Sequence, residues 1–229
     1  VKNKLNKQFY KFKVIDKISP QITENIIAKK FFLIIAAGCP YIFPLKLINA
    51  SRNGTINLHA GALPKYKGGS PLNWQIINGE KRLEISIIKM TQALDAGPIY
   101  SQKKFIFKRK HDISHAHAMA NYYFPKMTLQ TIHKIEKNIK PKFQPTNSFK
   151  IYKQRNDSDG LINWNKLSSK EVVNFVKSIT KPYPGAFCYI KGNKTRIFEC
   201  KDSKLNPKIL PGTIFINKKN KYIKCKINS

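Results

Sequence analysis

Residues 56–80, INLHAGALPKYKGGSPLNWQIINGE, place a strand end, a turn-rich loop and a helix within 25 residues, and residues 89–99 follow as KMTQALDAGPI. A strand is predicted over Gly54–Leu58, breaking into a loop at a polar end that carries Asn57 and His59. Side chains alternate across a strand, so these two residues, two apart, share a face. In parallel α/β sheets, ligand-binding residues gather at such carboxyl ends. Gly61–Pro71 reads as a loop, and SPLNWQIINGE reads as a helix with Ser70 as N-cap and Pro71 at the first helical position. Taken singly, a histidine at a strand end or an aspartate before Ala-Gly is more often structural than catalytic. The joint occurrence of Asn57, His59 and Asp95 in this order is what points to chemistry.

Working outward, PQITENIIAKK (Pro20–Lys30) has helical spacing and leads into FFLIIAAG, whose Phe31–Ala37 window is predicted to be a buried strand. LEISIIKM and PIYSQKKFIF read as strands around the loop that holds Asp95, and a helix is predicted from Ile113 to about Asn138. A polar, proline-bearing stretch then separates two domains, giving 1–140, a linker 141–158, and 159–229. In the last part LSSKEVVNFVKSIT is an amphipathic helix, followed by four short β-like pieces. The fold class is α/β with a small β-rich second domain.

Composition excludes several classes. The four cysteines are scattered without a CxxC pair, which argues against a zinc ribbon, a redox motif or a disulfide framework. No apolar run approaches the roughly 20 residues of a membrane span, and the N-terminus has no signal-peptide pattern, so no membrane partner and a cytoplasmic location are expected. The GxGxxG fingerprint of nicotinamide enzymes is absent. His111, His115 and His117 lie in or near one helix with only Asp112 beside them, which reads as surface histidines rather than a metal site. The formal charge is +31, yet only five of 43 basic residues are Arg. Lys, Asn and Ile share A/T-rich codons, so base composition alone can supply the charge. It lends modest support to an anionic substrate.

The two quoted stretches resemble the folate-dependent formyltransferases, a family that includes methionyl-tRNA, glycinamide ribonucleotide and nucleotide-sugar enzymes. The resemblance rests on Asn-x-His, a Leu-Pro loop, and an Asp 36 residues after the His inside Leu-Asp-x-Gly. DGLINW and TKPYPGAF look like the second domain of the tRNA and sugar enzymes, which glycinamide-type enzymes lack. It implies a Rossmann-like catalytic domain followed by an OB-like one, with 10-formyltetrahydrofolate as co-substrate. An amine attacking a formyl carbon creates an oxyanion and must shed a proton. Asn57 would donate to the oxyanion, His59 exchange the proton and Asp95 orient the imidazole. The resemblance also places the folate against Pro40, Tyr41, Ile42 and Phe43, against the Leu63-Pro64 turn, and against Thr91, Leu94 and Gly97. Measured against the family, the portion ahead of Pro20 reads as shortened and the chain stops early in the second domain.

PLNW at Pro71–Trp74 is closer to the sugar enzymes, making a nucleotide-linked amino sugar the leading acceptor. The enzyme that formylates 4-amino-arabinose, however, has an Arg at the position of Gly69. Initiator methionyl-tRNA is the alternative, favoured by charge and the attached β-rich domain. An inactive folate- or anion-binding remnant is the third reading.

Overall fold

A computed structural model describes residues 15, 17–146, 149–203, 208–217 and 220–225. Helix α1 (Pro20–Ala28) starts at Ser19, whose hydroxyl accepts the Ile22 N–H, and leads to β1 (Ile34–Ala37). A single turn, α2 (Leu45–Ile48), joins it to β2 (Thr55–His59). Two-residue β3 (Lys67–Gly68) and helix α3 (Pro71–Ile77) follow, then β4 (Arg82–Lys89) and β5 (Ile99–Ile106). The 24-residue helix α4 (Ile113–Glu136) opens with Asp112 accepting the N–H groups of Ser114 and His115.

Four strands form a mixed sheet in the order β1-β2-β4-β5. β1 runs parallel to β2, with Ala36 beside Asn57, and β4 runs antiparallel to β2, with Ser86 beside His59. In β4, Ile85, Ser86, Ile87 and Ile88 are all buried, so both faces of this central strand are covered. Ile56, Leu72, Ile76, Leu83, Ile85 and Ile87 meet in one core. Burial of each such side chain contributes about 1.5–3 kcal/mol.

Three expectations need correction. The FFLIIAAG run is not a buried strand: among the described residues β1 is the sheet's edge, and Phe31, Phe32 and Ile35 are each over 40% exposed. Hydropathy reports the cost of exposing a run, not whether a layer lies on each side of it. Secondly, β2 ends one residue later than expected, so His59 as well as Asn57 belongs to the strand. Thirdly, Ser70 precedes α3 as expected but does not cap it with its side chain, because its backbone is left-handed at φ 49°. Its hydroxyl instead accepts the Arg155 N–H at 3.1 Å.

Residues 149–158 of the expected linker lie docked along the first domain. Their strand β6 (Ile151–Tyr152) pairs with β3, and the Tyr152 ring packs on Tyr66 and Trp74 at 5.2 and 5.1 Å. Trp74 donates to the Lys153 carbonyl and Asn78 to the Tyr152 hydroxyl. A 3₁₀ turn, Asp157–Gly160, leads to helix α5 (Ser169–Ile179), which begins with a reciprocal Ser168–Glu171 capping box. Its apolar face buries Val172, Phe175, Val176 and Ile179 against Ile162 and Ala186. Strands β7 (Ala186–Ile190) and β8 (Asn193–Ile197) form one hairpin, and β9 (Ile214–Asn217) and β10 (Asn220–Ile223) another. Among the described residues no helix is long and apolar enough to cross a membrane.

Candidate active site

Strand alternation brings Asn57 and His59 to one face of β2, and the loop between β4 and β5 folds back over that face to deliver Asp95. The Asp95 backbone is left-handed at φ 48°, a conformation that aspartate tolerates better than most residues. Asn57 Nδ2 donates to Asp95 Oδ1 at 3.4 Å, and Gly68 N donates to Asp95 Oδ2 at 2.9 Å. His59 Nδ1 lies 3.5 Å from Asp95 Oδ2, with only 5% and 8% of the two side chains exposed. The three expected residues are therefore together.

The other histidine nitrogen, Nε2, sits 2.6 Å from the Tyr66 carbonyl. A carbonyl can only accept, so the neutral ring carries its proton on Nε2 and turns Nδ1 toward the carboxylate. A protonated ring would satisfy both acceptors. The approach is close enough to require a glycine nearby: a Cβ on Gly61 would lie 2.5 Å from His59 Nε2 and 2.7 Å from the Tyr66 carbonyl oxygen.

Tyr66 is itself fixed from its far end. Its hydroxyl donates to Glu80 Oε1 at 2.7 Å and accepts from Asn78 at 3.2 Å. Burial pushes the phenol up to about 12, keeping it protonated as a donor. Burial alone would raise the Glu80 carboxyl, but hydrogen bonds from Lys65 and Tyr66 outweigh it and hold the group below its ordinary range.

Of the residues expected around the folate, Pro40, Tyr41 and Ile42 are exposed, Ile42 by 92%, and Phe43 is half-buried. Their side chains are thus not core. Thr91 and Leu94 are exposed at the tip of the Asp95 loop, while Gly97 is buried at its base. The Leu63–Pro64 bond is cis, and the Leu63 carbonyl accepts from Gln102 at 2.9 Å.

Sequence reasoning missed Gln144. From the supposed linker its Nε2 donates to the carbonyls of Asp95 and Gly97, each at 2.8 Å, pinning the loop at Asp95 and just after it. No signal marked it, since one glutamine in a polar stretch looks like any other. Replacing Gln144 by Leu keeps its bulk and removes both donations. The change is expected to cost about 1–3 kcal/mol and to slow transfer by up to about 10²-fold through misplacement of Asp95. Faster hydrogen exchange confined to residues 91–97 is the accompanying sign; unchanged exchange there would remove Gln144 from this role.

Asn57, His59 and Asp95 thus meet on one face of a four-stranded mixed sheet, and a small β-rich part follows in the chain. The chain belongs to the formyl transferase family: the formyl transferase model matches residues 4–120, and the model of the formyl transferase C-terminal domain matches residues 155–229. The chain is 36% identical over 184 residues to the bifunctional polymyxin resistance protein ArnA of Wigglesworthia glossinidia brevipalpis, covering 80% of itself and 28% of that protein. It is 31% identical over 194 residues to a methionyl-tRNA formyltransferase of Thermodesulfovibrio yellowstonii, covering 85% of itself and 61% of the relative. Among solved structures, a sugar N-formyltransferase from a Shewanella species superposes with a TM-score of 0.63 at 21% identity, over 82% of this chain and 76% of that one. HypX from Aquifex aeolicus in complex with tetrahydrofolic acid superposes with a TM-score of 0.66 at 19% identity, over 92% and 36%.

Proposed function

We propose that this chain transfers the formyl group of 10-formyltetrahydrofolate to a primary amine, and that the amine belongs to a nucleotide-linked amino sugar. The observation that carries the reading is the Asp95 carboxylate, shared between Asn57, His59 and the Gly68 N–H inside a covered site. The amine nitrogen attacks the formyl carbon, the carbon–N10 bond breaks, the amine loses a proton and N10 gains one. The products are a formamide and tetrahydrofolate. Asn57 commits one N–H to Asp95, which leaves its second to donate to the developing oxyanion. Because both ring nitrogens of His59 are engaged, the proton route runs through Asp95. The carboxylate accepts from the amine and passes the proton to Nδ1, where the imidazolium donates to both Asp95 and Tyr66, and the proton returns through Asp95 to N10 as the carbon–N10 bond breaks. The exposed Pro40–Phe43 loop and the 91–97 loop, with the cis Leu63–Pro64 turn, are where the folate would lie. Tetrahydrofolic acid in the related HypX fold supports that co-substrate.

The sugar acceptor is supported by the PLNW segment and by the similarity to a sugar N-formyltransferase fold. Gly69 packs directly on Gln154, and a Cβ there would come within 2.5 Å of the Gln154 Cα. An Arg at this position could not be accommodated, so an acceptor phosphate would be met by other groups. Lys67 and Lys150, beside the Gly68 segment, lean over Phe149 and Tyr152 rather than pairing with a carboxylate among the described residues.

The two acceptor classes separate on salt. A nucleotide sugar presents one pyrophosphate, so its KM should rise only modestly between low and near-physiological salt. A tRNA contacting many phosphates would lose affinity steeply, with a slope that scales with the contacts made. Side-by-side formylation of UDP- or dTDP-linked 4-amino sugars and of methionyl initiator tRNA decides the matter. Efficient, steeply salt-sensitive formylation of the tRNA with no turnover of any sugar would overturn the sugar reading.

A further inference from the structure

The loop from Tyr66 to Gly69 touches both members of the His59–Asp95 pair. At its start the Tyr66 carbonyl meets His59 Nε2 at 2.6 Å, and two residues on the Gly68 N–H reaches Asp95 Oδ2 at 2.9 Å. The separation of the imidazole from the carboxylate therefore depends on where this short loop sits. Its backbone is held by Tyr66 N, which donates to the Ala62 carbonyl at 2.9 Å, by the two-residue β3, and by Gly69 N, which donates to the Tyr152 carbonyl at 2.8 Å. A side chain that fixes Tyr66 thus has leverage on the pair.

The Tyr66 side chain supplies that fixing. It is 1% exposed, and its ring stacks on Tyr152 with centroids 5.2 Å apart and 20° between the planes. The hydroxyl donates to Glu80 Oε1 at 2.7 Å, and Lys65 Nζ donates to the same oxygen. Asn78 Nδ2 donates to the Tyr66 hydroxyl at 3.2 Å and to the Tyr152 hydroxyl at 3.0 Å, so one amide also ties the ring to the 149–158 segment. The hydroxyl is thus used as donor and as acceptor, and the ring cannot slide without breaking one of these contacts. Room is short at the other end too, since a Cβ on Gly61 would come within 2.7 Å of the Tyr66 carbonyl oxygen.

We propose that Tyr66 is a positioning residue for the transfer: its side chain, tied to Glu80 and Asn78, holds its own carbonyl on the Nε2 proton of His59, and so keeps the imidazole in the tautomer whose bare Nδ1 faces Asp95. The inference rests on the proposed proton route, which needs Nδ1 free to take a proton from the carboxylate. With the carbonyl displaced, the neutral ring loses the acceptor that keeps its proton on Nε2. The proton can then move to Nδ1 and donate to Asp95 instead. That tautomer cannot receive the proton of the amine at Nδ1. A loss of this kind falls on kcat rather than on KM, because it removes an interaction made in the transition state and leaves substrate binding alone.

The test is ¹⁵N NMR of the full chain, in which the two ring nitrogens of a neutral histidine give separate signals according to which carries the proton. The chain has five histidines, and the His59 pair is assigned by its loss in His59→Ala. Wild type should show His59 with its proton on Nε2 alone. Tyr66→Phe removes only the hydroxyl and should shift part of the population to the Nδ1 tautomer. Its kcat should fall about tenfold or more with the folate KM unchanged, since misplacing a catalytic group can cost up to about 10²-fold. Glu80→Ala takes the acceptor from the same hydroxyl at a half-buried position and should act in the same direction, even if Tyr66→Phe fails to fold. Glu80→Gln keeps an oxygen that can accept from the phenol and should preserve the wild-type tautomer. Tyr183→Phe is the control: it deletes a hydroxyl 2.9 Å from His117 Nε2, so it should move the His117 signals and leave kcat and the His59 signals as they are. A His59 tautomer unchanged in both Tyr66→Phe and Glu80→Ala, or changed equally by Tyr183→Phe, would overturn the proposal. The tautomer is read without turnover, so a wild type that responds as expected but transfers no formyl group would overturn the transfer reading and still support the positioning of the ring.

Discussion

His59→Ala is expected to slow formyl transfer by roughly 10²–10⁴-fold, the usual worth of a positioned acid or base. The substitution removes the group that holds the proton between the amine and N10, and it leaves the Tyr66 carbonyl facing a void while Asp95 Oδ2 keeps the Gly68 N–H. An orphaned buried carbonyl costs about 1–3 kcal/mol of stability. Thermal unfolding must therefore be measured alongside turnover, at a temperature where the variant is folded. Folate affinity should be largely retained, since the imidazole is 5% exposed and offers little surface to a ligand. The loss should fall on kcat rather than on the folate KM. Wild-type turnover by a folded His59→Ala chain would remove the imidazole from the mechanism.

Asp95→Asn should be nearly as damaging, although the side chain keeps its size. An amide cannot take a proton from the amine or pass one to Nδ1, and its N–H₂ group would face the Asn57 amide or the Gly68 N–H, donor against donor. The double variant His59→Ala/Asp95→Asn is expected to be little worse than either single one, because groups that act on one proton cannot each be lost twice. Losses that simply multiply would mean that the two residues serve separate steps.

Much of this site was legible before any coordinates. Asn57 and His59 could be paired because strand alternation is a rigid rule, and Asp95 could be joined to them because the Leu-Asp-x-Gly loop is distinctive. The supports were not legible. Tyr66 meets His59 through its backbone carbonyl, and Gln144 holds Asp95 by grasping two carbonyls. Backbone acceptors leave no mark in the residue pattern. The 141–158 stretch read as a linker because its average character is polar, yet Tyr152 packs it to the domain. The FFLIIAAG run failed in the opposite sense: its apolarity was read as burial, but among the described residues β1 has a neighbouring strand on one side only. Ser70 had the residue type of a cap and the position of one, but its left-handed backbone sends the hydroxyl to Arg155.

The central claim is that the Asn57–His59–Asp95 site moves a formyl group from folate to an amine. The most direct measurement uses 10-formyltetrahydrofolate with ¹³C in the formyl carbon and follows the label by mass spectrometry onto an amino sugar nucleotide and onto methionyl initiator tRNA. Wild type should place the label on one acceptor as a formamide, with one tetrahydrofolate released per label transferred, and Asp95→Asn should abolish nearly all of it. Label transfer that is undiminished in a folded Asp95→Asn chain, or none to either acceptor by a wild type that binds the folate, would contradict the account.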